Sequence, residues 1–320
     1  MKIDAVITWV DGNDPVHRQK RREYATAQML ESIDVAGDTR FVEVGEIVWC
    51  VASLNRFAPW LNKIYIVTDG QDPGLEPFLK RNFPDGYIPV EIIDHKTIFR
   101  DYEEYLPTFN SISLEAMTWR IPGLSDCFIE FNDDLMLAAP VSETDFFTED
   151  GKVVCYGHKA SSMLTRLTRR FKYDRFGRRL VTTKGTHMNA AEVAGQRNWY
   201  IRMGHMQKAL RRDFYEAFYT SHPDILVRNI SHRFRHADQF NSQGLQYAKL
   251  YMAGQCVLRP YKDLLFFFQP KKKNGYFEKK MAALQAFRGK FICFNSIDML
   301  EEEQRRLLFR WISEKLDIVF

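Results

Sequence analysis

The chain has 320 residues, with 45 Lys and Arg against 41 Asp and Glu and a formal net charge of +4. A composition of 45% hydrophobic and 27% charged residues is that of a soluble globular protein, which excludes a chain that is disordered throughout. The small net charge does not by itself indicate nucleic-acid binding, and 14% aromatic residues can supply both a core and surfaces that stack on sugars.

Strand and helix patterns alternate in the N-terminal half of the chain. Apolar runs predict strands at residues 4–10, 63–68, 89–93 and 127–131, and helical spacing predicts helices at residues 16–33, 46–57 and 111–119. A polar loop rich in Asp, Asn, Gly or His follows the strands. This pattern is typical of an open, mostly parallel, Rossmann-like α/β sheet, in which ligands bind beyond the carboxyl ends of the strands.

A strongly basic segment begins the C-terminal half. Residues 166–184 contain eight Lys or Arg and one acidic residue, which predicts a basic hairpin or loop. Such a segment suits a solvated surface, a contact with anionic lipid, or a clamp on a negatively charged acceptor. RNA binding has no support from an RRM or KH signature.

Helical patterns dominate the remainder, at residues 205–219, 238–253 and 299–317. We therefore predict three units: an α/β core at residues 1–155, a basic hairpin or loop insertion at 156–200, and a mainly helical part at 201–320.

The cysteines and the N-terminus bear on the cellular compartment. Five scattered cysteines without a CxxC pair indicate neither a disulfide framework nor a cysteine-ligated zinc; they are Cys50, Cys127, Cys155, Cys256 and Cys293. The N-terminal MKIDAVITWVDG enters a predicted strand directly and does not resemble a signal peptide. No run approaches the roughly 18 apolar residues of a membrane-spanning helix. These features predict a cytoplasmic protein.

Two adjacent carboxylates, Asp133 and Asp134, follow the fourth predicted strand after Asn132. Carboxylate and amide oxygens are ligands for Mg²⁺ or Mn²⁺, and such an ion can neutralise a diphosphate. Asn and Asp are also common turn residues. On this pattern alone, a metal site and a simple turn both remain open.

The loop after the first strand has the sequence TWVDGNDP at residues 8–15. Here Trp9 can stack on a ligand, Asp11 can bind a hydroxyl, and Gly12 allows close approach of the backbone. Asp-Gly and Asp-Pro are also turn dipeptides, and the spacing alone favours a turn.

Basic and histidine side chains recur in the C-terminal half, at His205, Lys208 and residues 233–238 (RFRHAD). Arginines such as Arg233 and Arg235 bind phosphate with two parallel hydrogen bonds, and a histidine can be the general base for a sugar hydroxyl. A solvated helix face is the interpretation that the pattern alone favours.

Several segments together, in their order along the chain, carry a family resemblance. They are TWVDGNDP at 8–15, APW at 58–60, KIYIVTDGQ at 63–71, DHK at 94–96, LPTFNS at 106–111 with Glu115, RIPGLS at 120–125, FNDD at 131–134, residues 231–238, the segment with Lys208, and a weaker match, FICFN, at 291–295. This set resembles the Stealth proteins, which are capsular polysaccharide phosphotransferases related to the lysosomal-enzyme GlcNAc-1-phosphotransferase of animals. The resemblance is continuous over residues 46–147 and patchy elsewhere.

The resemblance implies a GT-A-like nucleotide-sugar-transferase fold and a sugar-1-phosphate transfer, with the nucleotide-sugar-binding core at residues 1–155 and the active site completed by residues 201–320. The donor would be a nucleotide diphosphate sugar, with a UDP-sugar favoured, and the acceptor a hydroxyl of an oligosaccharide or lipid-linked glycan. A nucleoside monophosphate would leave, and a phosphodiester would form in capsule or another bacterial surface polysaccharide. The reaction would take place at the cytoplasmic face of the membrane, with peripheral membrane contact and no nucleic-acid partner.

The resemblance also implies roles for particular residues. Asp133 and Asp134 would hold Mg²⁺ or Mn²⁺. His205 or Asp11 would take the proton of the acceptor, and Arg235 would stabilise the transferring phosphate. The expected substrate contacts are Trp9, Gly12, Gln71, Asn110, Glu115, Lys208, Arg233 and Asp238.

Three features depart from the family pattern. The helix at residues 46–57 usually carries two arginines where this chain has Val48 and Ala52, His205 lies later than the family histidine, and Asn295 is followed by Ser296 instead of Asp. Two alternatives remain: a metal-dependent glycosyltransferase that releases a nucleoside diphosphate, and a non-enzymatic glycan-binding module.

Overall fold

The computed structural model describes residues 1–26, 41–169, 181–268 and 275–320. Its largest sheet has the order β3-β2-β1-β4-β8. The strands are β1 (Ile3–Thr8), β2 (Ile64–Thr68), β3 (Val90–Asp94), β4 (Cys127–Asn132) and β8 (Lys208–Arg211). The first four are parallel, and β8 is antiparallel to β4. The four predicted strands and the predicted α/β class are therefore confirmed.

The structure also has two three-stranded sheets, with the orders β10-β11-β5 and β7-β6-β9. Their strands are β5 (Leu135–Leu137), β6 (Val153–Ser161), β7 (Trp199–Met203), β9 (Cys256–Arg259), β10 (Leu264–Phe268) and β11 (Phe291–Asn295). Because β5 follows β4 after a two-residue turn and pairs with β11, the C-terminal part of the chain is tied to the end of β4.

Helices cover the sheets. They are α1 (Pro15–Tyr24), α2 (Glu46–Phe57), α3 (Glu76–Asn82), α4 (His95–Ile98), α5 (Ser111–Glu115), α6 (Ser162–Arg169), α7 (Thr183–Val193), α8 (Arg212–Ser221), α9 (Pro223–Ile230), α10 (Ser242–Met252), α11 (Tyr276–Ala286) and α12 (Glu302–Leu316). Short 3₁₀ segments lie at residues 103–105, 118–120, 143–145 and 297–299. Among the described residues, none of the helices has the length and apolarity that crossing a bilayer requires.

Three predicted elements differ from the structure. The helix predicted at residues 16–33 is too long, because α1 ends at Tyr24 and Ala25 is extended. The helix predicted at residues 205–219 is wrong at its start, because Lys208–Arg211 pairs with β4 as a strand and α8 begins at Arg212. The hairpin predicted at residues 166–184 is wrong where it can be compared, because residues 166–169 belong to α6 and residues 183–184 begin α7. Residues 170–180 lie outside the described residues. The three-unit division remains a prediction, although β8 from the third unit completes the sheet of the first.

Trp49 on α2 joins the N-terminal and C-terminal packing. Its side chain is fully buried, and its ring makes edge-to-face contacts with Phe294, Phe309 and Phe320 at centroid distances of 6.2, 5.2 and 6.4 Å. Aromatic contacts of this kind add to the free energy gained by burying apolar surface.

We expect Trp49→Ala to lower the free energy of unfolding by about 3–5 kcal/mol, because the cavity removes contacts between two parts of the core. Chemical denaturation measures this change. Leu307→Ala is the matched control, since Leu307 is 44% exposed and its loss should cost less than about 0.5 kcal/mol. Equal losses for the two variants would contradict the role of Trp49.

Candidate active site

The loops after β1 and β2 are held together by Gln71. Its Oε1 accepts a hydrogen bond from the Asp11 backbone N–H at 2.9 Å, and its Nε2 donates to the Asp11 carbonyl and to Asp14 Oδ2, both at 3.0 Å. Because both ends of the amide are engaged, Gln71 shapes the loop that carries Asp11 instead of pointing freely into solvent.

Two other residues of the TWVDGNDP loop serve packing. The backbone N–H of Gly12 donates to the carbonyl of Phe41 at 2.7 Å, and a Cβ at Gly12 would lie only 2.1 Å from that oxygen. Glycine is therefore required for this close approach. Trp9 is 7% exposed and belongs to the main core, so its ring has no open face for the predicted substrate contact.

Asp134 is the meeting point of three chain segments. Its Oδ2 lies 3.1 Å from His205 Nε2, 3.4 Å from Cys293 Sγ and 3.3 Å from Asn295 Nδ2, while its backbone carbonyl accepts a hydrogen bond from Phe294 N–H at 2.8 Å. Burial tends to raise the pKa of Asp134, but the charge of His205 and the three side-chain hydrogen bonds outweigh it and hold the pKa below its usual value.

Lys208 supports the turn that carries His205. Its Nζ donates to the carbonyl of Gly204 at 3.0 Å and also to the carbonyl of Met206. Burial lowers the pKa of Lys208, and the nearby Glu130 and Glu115 carboxylates work in the opposite direction. The lysine predicted to contact substrate thus has a second task, which is to position His205.

A group of carboxylates that the sequence analysis missed lies beside Asp133. Burial, together with the negative charges of Glu43 and Asp133, raises the pKa of Glu46 to about 9. Burial also raises the pKa of Glu43, with a smaller contribution from Asp11. The pKa of Asp133 is well above its usual range because of burial, Asp134 and Glu43. We call Glu43, Glu46 and Asp133 the acidic group.

Glu115 faces the basic side of the site. Its Oε2 accepts a hydrogen bond from Gln243 Nε2 at 3.0 Å, and the same amide group donates to the buried Glu130. Burial raises the pKa of Glu115, while Gln243 and the positive charges of Arg235, Lys208 and His205 oppose the rise. Arg235, Lys208 and His205 therefore lie close enough to Glu115 for their charges to act on its carboxylate.

Arg233 and Asn110 are engaged elsewhere. The Nη2 of Arg233 donates to the carbonyls of Glu104 and Leu106, both at 3.0 Å. Asn110 is fully buried, and its Nδ2 donates to the His232 carbonyl at 2.8 Å and to Gln239 Oε1 at 2.9 Å. Both side chains hold the loop at residues 231–238 in place. The full burial of Asn110 leaves no surface for its predicted contact with substrate, whereas the contact predicted for Arg233 stays a prediction.

Arg235 and Asp238, which belong to the same loop at residues 231–238, are more accessible to solvent. Arg235 is partly buried, and its Nη2 donates to Ser111 Oγ at 2.8 Å. Asp238 is exposed, with its Oδ2 3.5 Å from His236 Nδ1. The structure therefore brings Arg235 to the neighbourhood of Glu115 and leaves Asp238 at the surface.

The donor atoms suit two kinds of cation. Asp133 and Asp134, with Glu43 and Glu46 nearby, form the oxygen-rich set that Mg²⁺ or Mn²⁺ prefers. The raised pKa values of Glu46 and Asp133 reflect burial and neighbouring negative charge that a cation would offset. Asp134, His205 and Cys293 also have ligand atoms within 4.8 Å of one another. This mixed oxygen, nitrogen and sulfur set resembles zinc ligands more closely than magnesium ligands.

The acidic group predicts a pH-dependent stability. Because the pKa of Glu46 rises from 4.5 in the unfolded chain to about 9 in the folded one, its contribution is fully present below about pH 4.5 and is lost as pH rises towards 9. We expect thermal melts to show a falling melting temperature over this range, and Glu46→Gln to flatten the fall. Mg²⁺ should raise the melting temperature more at pH 8.5 than at pH 5.

The control for this experiment is Glu76→Gln, since Glu76 is an exposed residue paired with Lys80. It should leave the pH profile unchanged. A profile that is the same in the wild type and in Glu46→Gln would contradict the assignment of Glu46 to a strained acidic group.

Solved glycosyltransferases resemble the chain only loosely in structure. The galactosyltransferase LgtC, in complex with donor and acceptor sugar analogues, aligns with a TM-score of 0.48 and 8% sequence identity over 99% of this chain and 96% of that one. The bifunctional glycosyltransferase WbbM aligns with a TM-score of 0.46 and 11% identity, over 98% of this chain and 49% of that one.

Curated relatives are more similar in sequence. The capsular polysaccharide phosphotransferases WcwK of Streptococcus pneumoniae and LcbA of Neisseria meningitidis are 41% and 40% identical over 150 residues, or 47% of this chain. That stretch spans 42% and 39% of those two proteins. The Haemophilus influenzae protein fcs1, also named a capsular polysaccharide phosphotransferase, is 28% identical over 276 residues, which cover 85% of this chain and 71% of that protein.

Family models match the two parts of the chain that build the carboxyl edge of the main sheet. Stealth protein CR1, conserved region 1, matches residues 1–28, and Stealth protein CR2, conserved region 2, matches residues 40–155. These regions contain Asp11, the acidic group and Asp134. The resemblance drawn from the motifs is thereby confirmed over residues 1–28 and 40–155, which match the two Stealth conserved regions.

Proposed function

We propose that the protein transfers a sugar 1-phosphate from a nucleotide diphosphate sugar to a hydroxyl of a glycan, in the synthesis of capsule or another exopolysaccharide. The names of the relatives support a polysaccharide phosphotransferase. The single observation that carries the proposal is the contact between Asp134 and His205, because it joins a carboxylate-rich region to a side chain that can accept a proton.

The reaction requires charge neutralisation around one phosphorus atom, an in-line nucleophile and a base. The acceptor hydroxyl oxygen would form a bond to the phosphorus that carries the sugar. The bond from this phosphorus to the bridging oxygen of the diphosphate would break, and the nucleoside monophosphate would leave with the bonding electrons. A phosphodiester between the sugar and the glycan would remain.

His205 would take the proton of the acceptor hydroxyl. Its Nε2 faces Asp134, so Nδ1 is the ring atom for this transfer, and the imidazolium formed would be stabilised by the Asp134 carboxylate. The ring is 45% exposed, which leaves it accessible to an acceptor. Asp11, whose charge acts on Glu43 of the acidic group, is the second candidate base.

Asp133 and Asp134 would hold Mg²⁺ or Mn²⁺, which neutralises a diphosphate when bound. Arg235 would bind the oxygens of the transferring phosphate, since its guanidinium carries several donors and lies near Glu115 in the site. A UDP-sugar is the favoured donor, and the acceptor would be an oligosaccharide or a lipid-linked glycan.

The nucleotide released identifies the reaction. We expect purified protein with Mg²⁺ or Mn²⁺, a panel of UDP-, GDP- and CDP-sugars and a mixed oligosaccharide acceptor to release a nucleoside monophosphate, as measured by anion-exchange chromatography. His205→Ala should lower kcat by about 10²- to 10⁴-fold, which is the range for loss of a general base. Asp134→Asn should remove most of the activity.

Asp126→Asn is the matched control for the aspartate variant, because Asp126 has a largely exposed side chain and pairs with Arg212 away from the acidic group. A nucleoside diphosphate product would contradict the proposal and favour a glycosyltransferase that attacks the anomeric carbon. Absence of nucleotide binding and of any metal effect would favour a glycan-binding module.

We also propose that the protein works at the cytoplasmic face of a bacterial membrane, in peripheral contact with it. Support comes from α6, on which Met163, Leu164 and Leu167 are 66%, 63% and 56% exposed at positions that share one helix face. The basic sequence of residues 166–184 starts on the same helix and carries charge of the sign that anionic lipids attract.

Vesicle flotation tests this contact. We expect the wild type to float with phosphatidylglycerol-containing vesicles at low salt, and the triple variant Met163→Ser, Leu164→Ser, Leu167→Ser to float much less. Leu307→Ser on α12 is the control, because Leu307 is also exposed and lies outside the basic segment. A wild type that stays in the soluble fraction would remove the membrane from the proposal.

A further inference from the structure

Three side-chain donors converge on one oxygen of Asp134. Its Oδ2 atom lies 3.1 Å from His205 Nε2, 3.4 Å from Cys293 Sγ and 3.3 Å from Asn295 Nδ2. The amide nitrogen of Asn295 cannot give up its protons, but an imidazole nitrogen and a thiol sulfur can each bind a metal ion in place of a proton. The proposed reaction uses Asp134 and His205 and gives no part to Cys293.

The spacing of the ligand atoms of Asp134, His205 and Cys293 is close to that of a tetrahedral zinc site. Zinc binds carboxylate oxygen and imidazole nitrogen at about 2.0–2.2 Å and thiolate sulfur at about 2.3 Å, so tetrahedral angles separate the ligand atoms by about 3.4–3.6 Å. The Oδ2–Nε2 and Oδ2–Sγ distances are 3.1 and 3.4 Å, and all three atoms lie within 4.8 Å of one another. A zinc ion therefore fits among them after small side-chain movements.

Backbone pairing fixes two of the three ligands. Cys293 is opposite Leu135 in the antiparallel ladder of β5 and β11, and the N–H of Phe294 donates to the carbonyl of Asp134 at 2.8 Å. The side chain of Cys293 is fully buried. The strands thus hold the carboxylate and the thiol in contact, which limits the reorganisation that binding an ion requires.

His205 supplies the third ligand from the solvent side. Its side chain is 45% exposed, and the ring of Phe266 lies edge-to-face with its imidazole at a centroid distance of 6.1 Å. Phe266 is also the partner of Cys293 in the parallel ladder of β10 and β11, so β10 lies beside both ligands. The exposed part of the imidazole gives an ion a path to Asp134 and to the buried thiol.

We propose that Asp134, His205 and Cys293 form a binding site for Zn²⁺, and that zinc bound there inhibits the transfer. The inhibition rests on the proposed function, whereas the binding rests on the geometry of the three side chains. A carboxylate and a thiolate together balance the charge of the ion, and sulfur and imidazole ligands favour zinc over magnesium. The fourth position is left for water or a phosphate oxygen.

Zinc at this site removes the proposed base. As the ion binds, the thiol proton of Cys293 passes to water, and the imidazole proton of His205 moves from Nε2 to Nδ1. An Nδ1 atom that already carries a proton cannot accept one from the acceptor hydroxyl. The ion also takes the carboxylate of Asp134 from the proposed Mg²⁺ or Mn²⁺ site, so the two kinds of cation exclude each other.

Cobalt spectroscopy tests the binding without a donor or turnover. Co²⁺ binds the same nitrogen and sulfur ligands as Zn²⁺, and a cobalt thiolate absorbs in the near ultraviolet by charge transfer from sulfur. We expect Co²⁺ added to the reduced wild-type protein to produce this absorption band, and Zn²⁺ to remove it by displacement. A wild-type protein that shows no thiolate band would overturn the inference.

Variants of the ligands identify the site. Cys293→Ser should abolish the thiolate band and weaken zinc binding, measured by competition with a chromophoric chelator, by at least about tenfold, since the loss of an outer-shell partner alone costs about 10- to 100-fold. His205→Ala should weaken zinc binding to a similar extent. Because His205 is largely at the surface, this variant keeps the test valid if Cys293→Ser disturbs the core.

Cys127→Ser is the matched control, because Cys127 lies at the opposite end of β4 from the turn that carries Asp134. Cys127 is only partly buried, so the variant also controls for zinc held by an accessible thiol. It should keep the thiolate band and the zinc affinity of the wild type. A folded Cys293→Ser or His205→Ala protein that binds zinc as tightly as the wild type would overturn the inference.

Turnover then separates this inference from the proposed function. In a monophosphate-release assay with Mg²⁺, Zn²⁺ should inhibit the wild type, and more Mg²⁺ should raise the zinc concentration that halves the rate. Cys293→Ser, compared with its own rate without zinc, should need at least about tenfold more zinc. Zinc that supports turnover in place of Mg²⁺, or that leaves the rate unchanged, would overturn the inhibitory role. If the thiolate band appears and no monophosphate is released from any donor, the zinc site stands and the proposed function fails.

Discussion

The site depends on a single carboxylate. Asp134 sits in the turn between β4 and β5, and its oxygens meet His205 from the turn before β8 and both Cys293 and Asn295 from β11. These residues are far apart in sequence, so the contacts at Asp134 bring the three segments together. In a partly buried setting these hydrogen bonds are stronger than they would be in water, and each reinforces the next. A loss of Asp134 therefore removes both a proposed ligand and the geometry of the proposed base.

Acidic and basic side chains lie on different sides of Asp134. Glu43, Glu46 and Asp133 lie on one side, where burial and mutual repulsion raise their pKa values. Lys208 and Arg235 act on the other side, around Glu115. A buried ammonium such as that of Lys208 is costly unless it is paired and hydrogen-bonded. Its bonds to two carbonyls offset that cost, and the same bonds hold the His205 turn in a fixed shape.

The sequence predicted the main sheet well, since buried parallel strands are continuous apolar runs that stand out from their polar loops. It also indicated Asp133 and Asp134, because two acids at the end of such a run are conspicuous. It missed Glu43 and Glu46, which resemble ordinary acids at the start of a helix and reach the site only because α2 is packed beside β5. It mistook β8 for a helix, since a four-residue edge strand followed at once by a helix has too short a pattern to be distinguished. The burial of Trp9 and Asn110 depends on tertiary packing, which no local pattern reports.

The two departures from the family pattern on α2 affect the charge around the acidic group. Where the family usually has two arginines, this chain has Val48, packed against the core, and Ala52, which is fully buried. Arg56 is the only Lys or Arg of α2, and its guanidinium bonds the carbonyls of Leu316 and Asp317 at the far end of the helix. The helix that begins with Glu46 thus supplies no positive charge to the acidic group. The raised pKa values of Glu46 and Asp133 favour their neutral forms, and a cation at the metal site proposed for Asp133 and Asp134 would stabilise the charged forms, which the apolar Val48 and Ala52 do not.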